Sequence, residues 1–168
     1  MKNAKQRNAG IFLAQGGMVA ALYVALTLIA SAMGLASGQI QLRLSEALTI
    51  LPCFFPAAVP GLFVGCLLAN LLTGCVLWDV AVGSLATLLG ALGTRLLRKN
   101  RWLAVLPPIV SNILLVPPVL VWAYGMEESI PFLMLTVGLG EVLSCGVLGE
   151  LMYSALDTRR ARWARKAR

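Results

Sequence analysis

Histidine is absent from this sequence, and the motifs that serve most enzymes and motors are missing as well. None of the 168 residues is histidine, and no two of the four cysteines are spaced as Cys-x-x-Cys. A zinc site or a histidine-based triad therefore has few candidate ligands. The sequence also contains no GxxxxGK[ST] phosphate-binding loop, which a nucleotide-driven motor would need. We expect no catalytic residues, no metal site and no cofactor in this chain.

Charged residues are also few in this sequence. They make up only 12% of the chain, against 59% apolar residues, and the mean hydropathy is +0.84. Soluble domains carry about twice as much charge. A bilayer crossing takes about 20 apolar residues, so six crossings would use roughly 120 and leave no room for a soluble domain. We predict an all-α membrane protein with a single integral membrane domain over residues 1–168.

The few charges present are unevenly distributed. Basic residues outnumber acidic ones by 14 to 7, and thirteen of them fall within residues 2–7, 95–101 and 159–168. Basic residues in short loops accumulate on the cytoplasmic side of a membrane. An even number of crossings places all three clusters there, with both termini cytoplasmic. The charge therefore predicts a multi-pass plasma-membrane protein whose basic tail contacts lipid headgroups, and no nucleic-acid partner.

Prolines and glycines divide the apolar sequence into six predicted spans. Pro52, Pro56 and Pro60 make the second span short, because proline interrupts a helix. About 11 residues do not cross a bilayer alone, so we expect this element to be tilted or to sit within the protein. The first apolar run is too long for a signal-peptide core, and we expect it to be retained. The predicted spans are residues 11–35, 44–54, 56–72, 80–97, 102–124 and 130–156, followed by a basic cytoplasmic tail at 157–168.

Several polar residues lie within or beside these apolar spans. Glu141 falls near the middle of the sixth span, where an ionisable group costs at least about 2.5 to 3.5 kcal/mol and is a candidate functional residue. The amides of Asn70 and Asn112 suit the edge of a nucleobase or vitamin ring. Hydrogen bonds between helices are the alternative explanation for all three. The residues predicted to form a pocket opening outward are Gln41, Arg43, Glu46, Asn70, Trp78, Asp79, Asn112 and Glu141.

Two pairs in this set have alternative explanations. Arg43 and Glu46 lie three residues apart on one helical face, so they either pair with each other or contact a ligand. Trp78 is either part of the interfacial aromatic belt or a stacking platform for a flat ligand beside Asp79. The two explanations of each pair are left open at this point.

Small residues form a smooth stripe on the first span. Gly17, Ala21 and Ala25 are spaced by four residues, so they share a helical face that another helix can approach closely. That partner is either internal or a separate subunit. The same spacing occurs at Gly61 and Gly65 in the third span.

Four segments carry a family resemblance. They are QIQLRLSEAL at residues 39–48, GLFVGC at 61–66 with Asn70 beyond it, WDV at 78–80 and GSLAT at 83–87. Together they resemble the QueT family, the substrate-binding S components of energy-coupling factor transporters for queuosine precursors. The resemblance implies six helices, a membrane coupling protein (EcfT) and two cytoplasmic EcfA-type ATPases that hydrolyse ATP. It also implies that Gly17, Ala21 and Ala25 dock on the coupling protein, and that the subunit topples to turn its pocket inward.

The ligand implied by the resemblance is a 7-deazaguanine, namely preQ0, preQ1 or queuine. From its chemistry, we expect Glu141 to accept the N–H donors of its amidine-like edge. Asn70 or Asn112 would serve the carbonyl side, and Trp78 would stack on the ring. Asp79 would face a cationic aminomethyl arm where the ligand has one.

Other functions are compatible with the sequence. A self-sufficient carrier for the same ligand would need coupling machinery, for which neither an internal repeat nor histidine provides a sign. An S component could also bind a different vitamin, such as thiamine or riboflavin, because one fold serves unrelated ligands. A membrane enzyme lacks a nucleophile–base pair, and a purely structural subunit would not need the costly polar groups.

Overall fold

A computed structural model describes residues 2–35 and 42–166 of the chain, and these residues form helices and turns without strands. The all-helical prediction is confirmed. The helices are α1 (Lys2–Ala32), a 3₁₀ helix (Leu44–Cys53), α2 (Ala58–Leu72), α3 (Leu77–Leu96), α4 (Arg101–Ala104), α5 (Leu106–Tyr124), α6 (Ile130–Glu141), a π-helical segment (Val142–Leu148) and α7 (Gly149–Lys166).

Four stretches of helix are long and apolar enough to cross a membrane. They cover Gln6–Ala32, Leu77–Leu96, Arg101–Tyr124 and Ile130–Thr158, whereas Leu44–Cys53 and Ala58–Leu72 are shorter apolar helices. The short second element is central to the bundle, because residues 45–52 are all buried. This agrees with the expectation that it sits within the protein.

The structure changes one local prediction and adds detail to another. Trp78 and Asp79 are not in the turn before the fourth span but in the first turn of α3, while the turn itself contains Gly74 with φ of +74°. The basic tail is also helical, since α7 continues to Lys166. In both places the helix extends past the apolar run, because backbone hydrogen bonding does not stop where hydrophobicity does.

Successive elements run between two ends of the bundle. At one end lie Ser31 near the end of α1, Thr73 after α2, and Tyr124 at the end of α5, all lining one cavity. At the other end, Arg95 of α3 donates a hydrogen bond from Nη1 to the carbonyl oxygen of Pro52 at 2.8 Å. The 3₁₀ helix therefore connects the two ends despite its shortness, and α3 carries the chain back from the cavity towards the basic residues 95–101.

Glycines allow the closest helix crossings. A Cβ atom at Gly61 would lie 2.6 Å from the carbonyl oxygen of Gly16, and one at Gly90 would lie 2.6 Å from the Cα atom of Pro108. These distances are shorter than van der Waals contact, so α1 with α2, and α3 with α5, pack backbone against backbone. The crossings fix the rotation of each helix and thereby decide which side chains face the interior.

Candidate functional site

A cavity of about 460 Å³ lies at the end of the bundle opposite the basic residues 95–101. Cavities of this size are typical of small-molecule sites. It is enclosed by the ends of α1, α2 and α5, by the start of α3 and by the residues that lead into the 3₁₀ helix. The polar residues lining it are Tyr23, Thr27, Ser31, Arg43, Ser45, Asn70, Thr73, Asp79 and Tyr124.

Asp79 is the buried carboxylate of this cavity. Its side chain is almost fully buried in the first turn of α3, where the helix dipole favours a negative charge. The hydroxyl of Tyr124 donates to its Oδ2 atom at 3.0 Å and accepts the backbone N–H of Val76 at 3.3 Å. The Oδ1 atom has no hydrogen-bond partner in the described part of the chain. One carboxylate oxygen is therefore fixed by the protein, and the other is buried without a hydrogen-bond partner among the described residues.

Asn70 lies beside Asp79 because Gly83 leaves room for both. A Cβ atom at Gly83 would lie 3.1 Å from Nδ2 of Asn70 and 3.6 Å from Oδ1 of Asp79. The amide nitrogen of Asn70 has only a weak contact, 3.7 Å to the sulfur of Cys66. An amide with donors and an acceptor, next to an unpaired carboxylate oxygen, can bind a ligand with both kinds of polar group.

Arg43 supplies positive charge to the same cavity. Within the described residues it forms no ion pair with Glu46, although Arg101 and Glu150 form one at 2.9 Å. The predicted pairing of Arg43 with Glu46 is therefore not seen. The negative charges of several carboxylates, among them Asp79 and Glu141, instead act on the guanidinium group.

Glu46 lies beneath the cavity and does not line it. Its side chain is fully buried, and its Oε1 atom accepts hydrogen bonds from the Tyr23 hydroxyl and, at 3.5 Å, from Thr87. Tyr23 does line the cavity. Glu46 therefore holds Tyr23, a residue of the cavity wall, in place from below. This role differs from both predicted ones, which were pairing with Arg43 and contact with a ligand.

Glu141 and Asn112 are also in this lower layer. The thiol of Cys145 donates to Oε2 of Glu141 at 3.2 Å, and the Asn112 amide lies beside the same carboxyl group. Both side chains are buried, and neither lines the cavity. The structure thus divides the predicted pocket into a cavity set (Arg43, Asn70, Asp79) and a buried set (Glu46, Asn112, Glu141).

Two further residues of the predicted pocket lie elsewhere. Trp78 is 69% exposed and lines a separate apolar groove with Pro118 and Trp122, which suits the aromatic-belt explanation better than stacking in the cavity. Gln41 lies outside the described residues.

Sequence reasoning missed both tyrosines of the site. Tyr23 falls in the apolar run of α1 and is separated by one turn from Thr27, which also lines the cavity. This spacing of four residues places two polar side-chain ends on one helical face. It is the sequence feature that could have identified Tyr23 as a site residue. Tyr124 looked like the end of a span, and its contact with Asp79 joins residues 45 apart in sequence.

The small-residue stripe of α1 faces away from the bundle. Gly17, Ala21 and Ala25 are all exposed, and a Cβ atom at Gly17 would meet nothing within 4 Å. Ala20 is buried against the bundle, as expected from its contact with Gly65. The exposed stripe is therefore not used for packing among the described residues.

Comparison with known proteins identifies the family. The family model described as QueT transporter matches residues 13–158, a stretch that includes the cavity and the buried set. No curated protein and no solved structure shows significant similarity. The match covers most of the sequence and confirms the resemblance found in its motifs. This chain belongs to the QueT transporter family.

Proposed function

We propose that this protein is the substrate-binding subunit of an energy-coupling factor importer and that it binds a 7-deazaguanine in the cavity beside Asp79. The observation that carries the proposal is the unpaired Oδ1 atom of Asp79, a residue that lines the cavity together with Arg43 and Asn70. A buried carboxylate with one unpaired oxygen needs a donor or a cation.

The cavity residues match the polar groups of such a ligand. An aminomethyl arm is cationic at neutral pH and would pair with Asp79 in a charge-assisted hydrogen bond. The lactam edge of the ring offers a carbonyl oxygen and an N–H, which the amide of Asn70 can meet with one donor and one acceptor. Arg43 supplies further donors, and the ring of Tyr124 offers an aromatic face in place of Trp78.

The role predicted for Glu141 at the amidine-like edge stays a prediction. Its carboxyl group lies below the cavity lining together with Glu46 and Asn112. Of these three residues, Glu46 supports the cavity wall by accepting a hydrogen bond from Tyr23.

The orientation proposed is six crossings, with the cavity outside and both termini in the cytoplasm. The described helices support it because they alternate between the cavity end and the end that carries Arg95 and Arg101. The positive-inside rule assigns the basic end to the cytoplasmic side of the plasma membrane. A ligand arriving from outside would then reach Asp79 first.

Transport would require partners, namely an EcfT-type coupling protein and two EcfA-type ATPases that hydrolyse ATP. The exposed stripe of Gly17, Ala21 and Ala25 supports this part of the proposal, because small residues let a second helix approach closely. Toppling of the subunit against that partner would carry the cavity from one side of the membrane to the other.

Binding by the purified protein tests the ligand assignment. We expect Asp79→Asn to weaken binding of preQ1, which has a cationic arm, by tenfold or more, since a charge-assisted hydrogen bond contributes about 1.5 to 3 kcal/mol. Binding of preQ0, whose nitrile is uncharged, should change much less. Isothermal titration calorimetry measures both.

Glu127→Gln is the matched control, because Glu127 is an exposed acid in the turn after Gly125. It should bind both ligands as the unaltered protein does. Equal affinities of Asp79→Asn and the unaltered protein for every deazaguanine would contradict the proposal. Uptake that continues without the coupling protein and ATPases would favour the self-sufficient carrier, and a different co-purified molecule would identify another ligand.

A further inference from the structure

Two irregular helices meet at the buried set. Glu46 and Thr49 belong to the 3₁₀ helix, whereas Ser144 and Cys145 belong to the π-helical segment that follows Glu141. Long 3₁₀ runs are uncommon, and π-helical turns are frequent at functional sites. Glu46, Glu141 and Cys145 each offer one potential ligand atom, and these three atoms lie within 4.8 Å of one another. At membrane depth, irregular helices of this kind provide ion sites in transporters.

Several polar atoms around this point have no partner in the described part of the chain. They are Oε2 of Glu46, both amide atoms of Asn112 and the hydroxyl oxygen of Ser144. Asn112 is fully buried, and its amide lies beside Glu141 without forming a hydrogen bond of ordinary geometry. A buried polar group left unpaired costs about 1 to 3 kcal/mol, so several together point to a bound species.

The charges around this point are also unbalanced. The charge of Arg43 acts on Glu46, Glu141 and Asp79, although Arg43 forms no ion pair with any of them within the described residues. If all three carboxylates are ionised, one guanidinium leaves two negative charges without a counterpart. Unpaired charge in a low-dielectric interior is strongly destabilising. Even with a cationic ligand at Asp79, one negative charge would be left between Glu46 and Glu141.

We propose that the buried set binds one monovalent metal cation, with the carboxylates of Glu46 and Glu141 and the amide oxygen of Asn112 as ligands. Oxygen donors suit a hard cation. The single thiol hydrogen of Cys145 has two acceptors within reach, the backbone oxygen of Glu46 and Oε2 of Glu141, so its sulfur serves as a hydrogen-bonding group and not as a thiolate ligand. A soft metal is therefore disfavoured.

The potential ligand atoms of Glu46, Glu141 and Cys145 lie within 4.8 Å of one another, so one central ion could contact both carboxylates. Sodium fits the single charge that is uncompensated when both carboxylates are ionised. A proton shared by the two carboxyl groups would neutralise that charge too, but it would leave the oxygen atom of the Asn112 amide without a partner. This inference does not depend on which ligand the cavity binds.

Thermal unfolding of the full-length protein in detergent, without organic ligand, tests the site. We expect replacement of choline chloride by sodium chloride, at equal ionic strength and neutral pH, to raise the unfolding temperature by about 3 °C or more, because sodium would bind only the folded state. Glu141→Gln should lose this rise, whereas the exposed control Glu127→Gln should keep it. Asn112→Leu should require about tenfold more sodium for half of the effect.

Direct binding of radioactive sodium to the unaltered protein keeps the test decisive if Glu141→Gln does not fold. Saturation at one ion per chain, with potassium a weaker competitor, would support the site. Absence of both the temperature rise and sodium binding would overturn it. Stabilisation by lower pH alone, equal in choline and sodium, would show a shared proton in its place and would also overturn it.

Discussion

At the scale of single residues, the site depends on hydroxyl groups that hold carboxylates in place. Tyr23 donates to Glu46, and Tyr124 donates to Asp79. Each tyrosine lines the cavity and donates to a carboxylate on a different helix. Each hydrogen bond therefore connects a wall residue of the cavity to a neighbouring helix. Because a buried carboxylate is costly unless hydrogen-bonded, these tyrosines decide which oxygen is left for a ligand.

Tyr124→Phe tests this arrangement. The change removes the hydroxyl that donates to Oδ2 of Asp79 at 3.0 Å while keeping the aromatic ring. We expect affinity for preQ1 to fall about three- to tenfold, as for loss of one hydrogen bond worth roughly 1 kcal/mol. Calorimetric titration provides the measurement.

Tyr153→Phe is the matched control, since Tyr153 packs against Phe54, with ring centroids 4.9 Å apart, and does not line the cavity. Its affinity should equal that of the unaltered protein. Equal losses in the two variants would mean that the Tyr124 hydroxyl has no specific role.

At the scale of helices, close crossings set the rotation of each element. Gly90 meets Pro108, and Gly93 meets Pro107, so α3 and α5 approach each other most closely towards the basic end. Small residues are what allow such contact between membrane helices. The same pair of helices carries Asp79 and Tyr124 at the cavity end, so a shift at one end would be transmitted to the other.

Gly90→Ala tests the crossing. The added Cβ atom would lie 2.6 Å from Cα of Pro108, and because the contact is to backbone, the helices must separate. We expect a loss of about 1 to 3 kcal/mol, as for other overpacked interiors, seen as a lower unfolding temperature in detergent. Gly10→Ala, where a Cβ atom meets nothing within 4 Å, should unfold no earlier than the unaltered protein. A stable Gly90→Ala variant would show that the crossing is more adaptable than its distances indicate.

At the scale of the whole molecule, the two ends differ in shape and charge. The cavity lies at one end, and the basic residues 95–101 lie at the other. The exposed stripe of α1 lies on the outside of the bundle between them. Under the proposed function, this separation would allow ligand binding and partner docking to be altered independently.

Ala21→Trp tests that independence. Since Ala21 is exposed on the stripe, a bulky side chain there should block docking on the coupling protein. We expect uptake of the ligand by cells to fall tenfold or more, because the close approach of helices needs small residues. Binding of ligand to the isolated subunit should not change.

Leu22→Trp provides the control, because Leu22 is exposed but lies about 100° further around the helix. Uptake by this variant should be close to normal. If both variants transport normally, the stripe is not the docking surface.

The sequence alone determined the class of the protein, because apolar runs, prolines and clustered basic residues are local signals. The division into helices and the turn at Gly125 follow from residues adjacent in the chain. Asp79, Asn70 and Arg43 could also be predicted as site residues from local sequence. Each places a polar side chain where hydrocarbon is expected, which costs free energy.

The tertiary structure decided which of these polar residues share a site. Glu46 contacts Tyr23 across 23 residues and Cys145 across 99, and such contacts depend on helix rotation, which Gly61 and Gly90 set through backbone packing. Trp78 left the predicted pocket because its side of α3 faces outward. Composition could show that polar groups were few and costly, but only packing between distant segments could place three in the cavity and three beneath it.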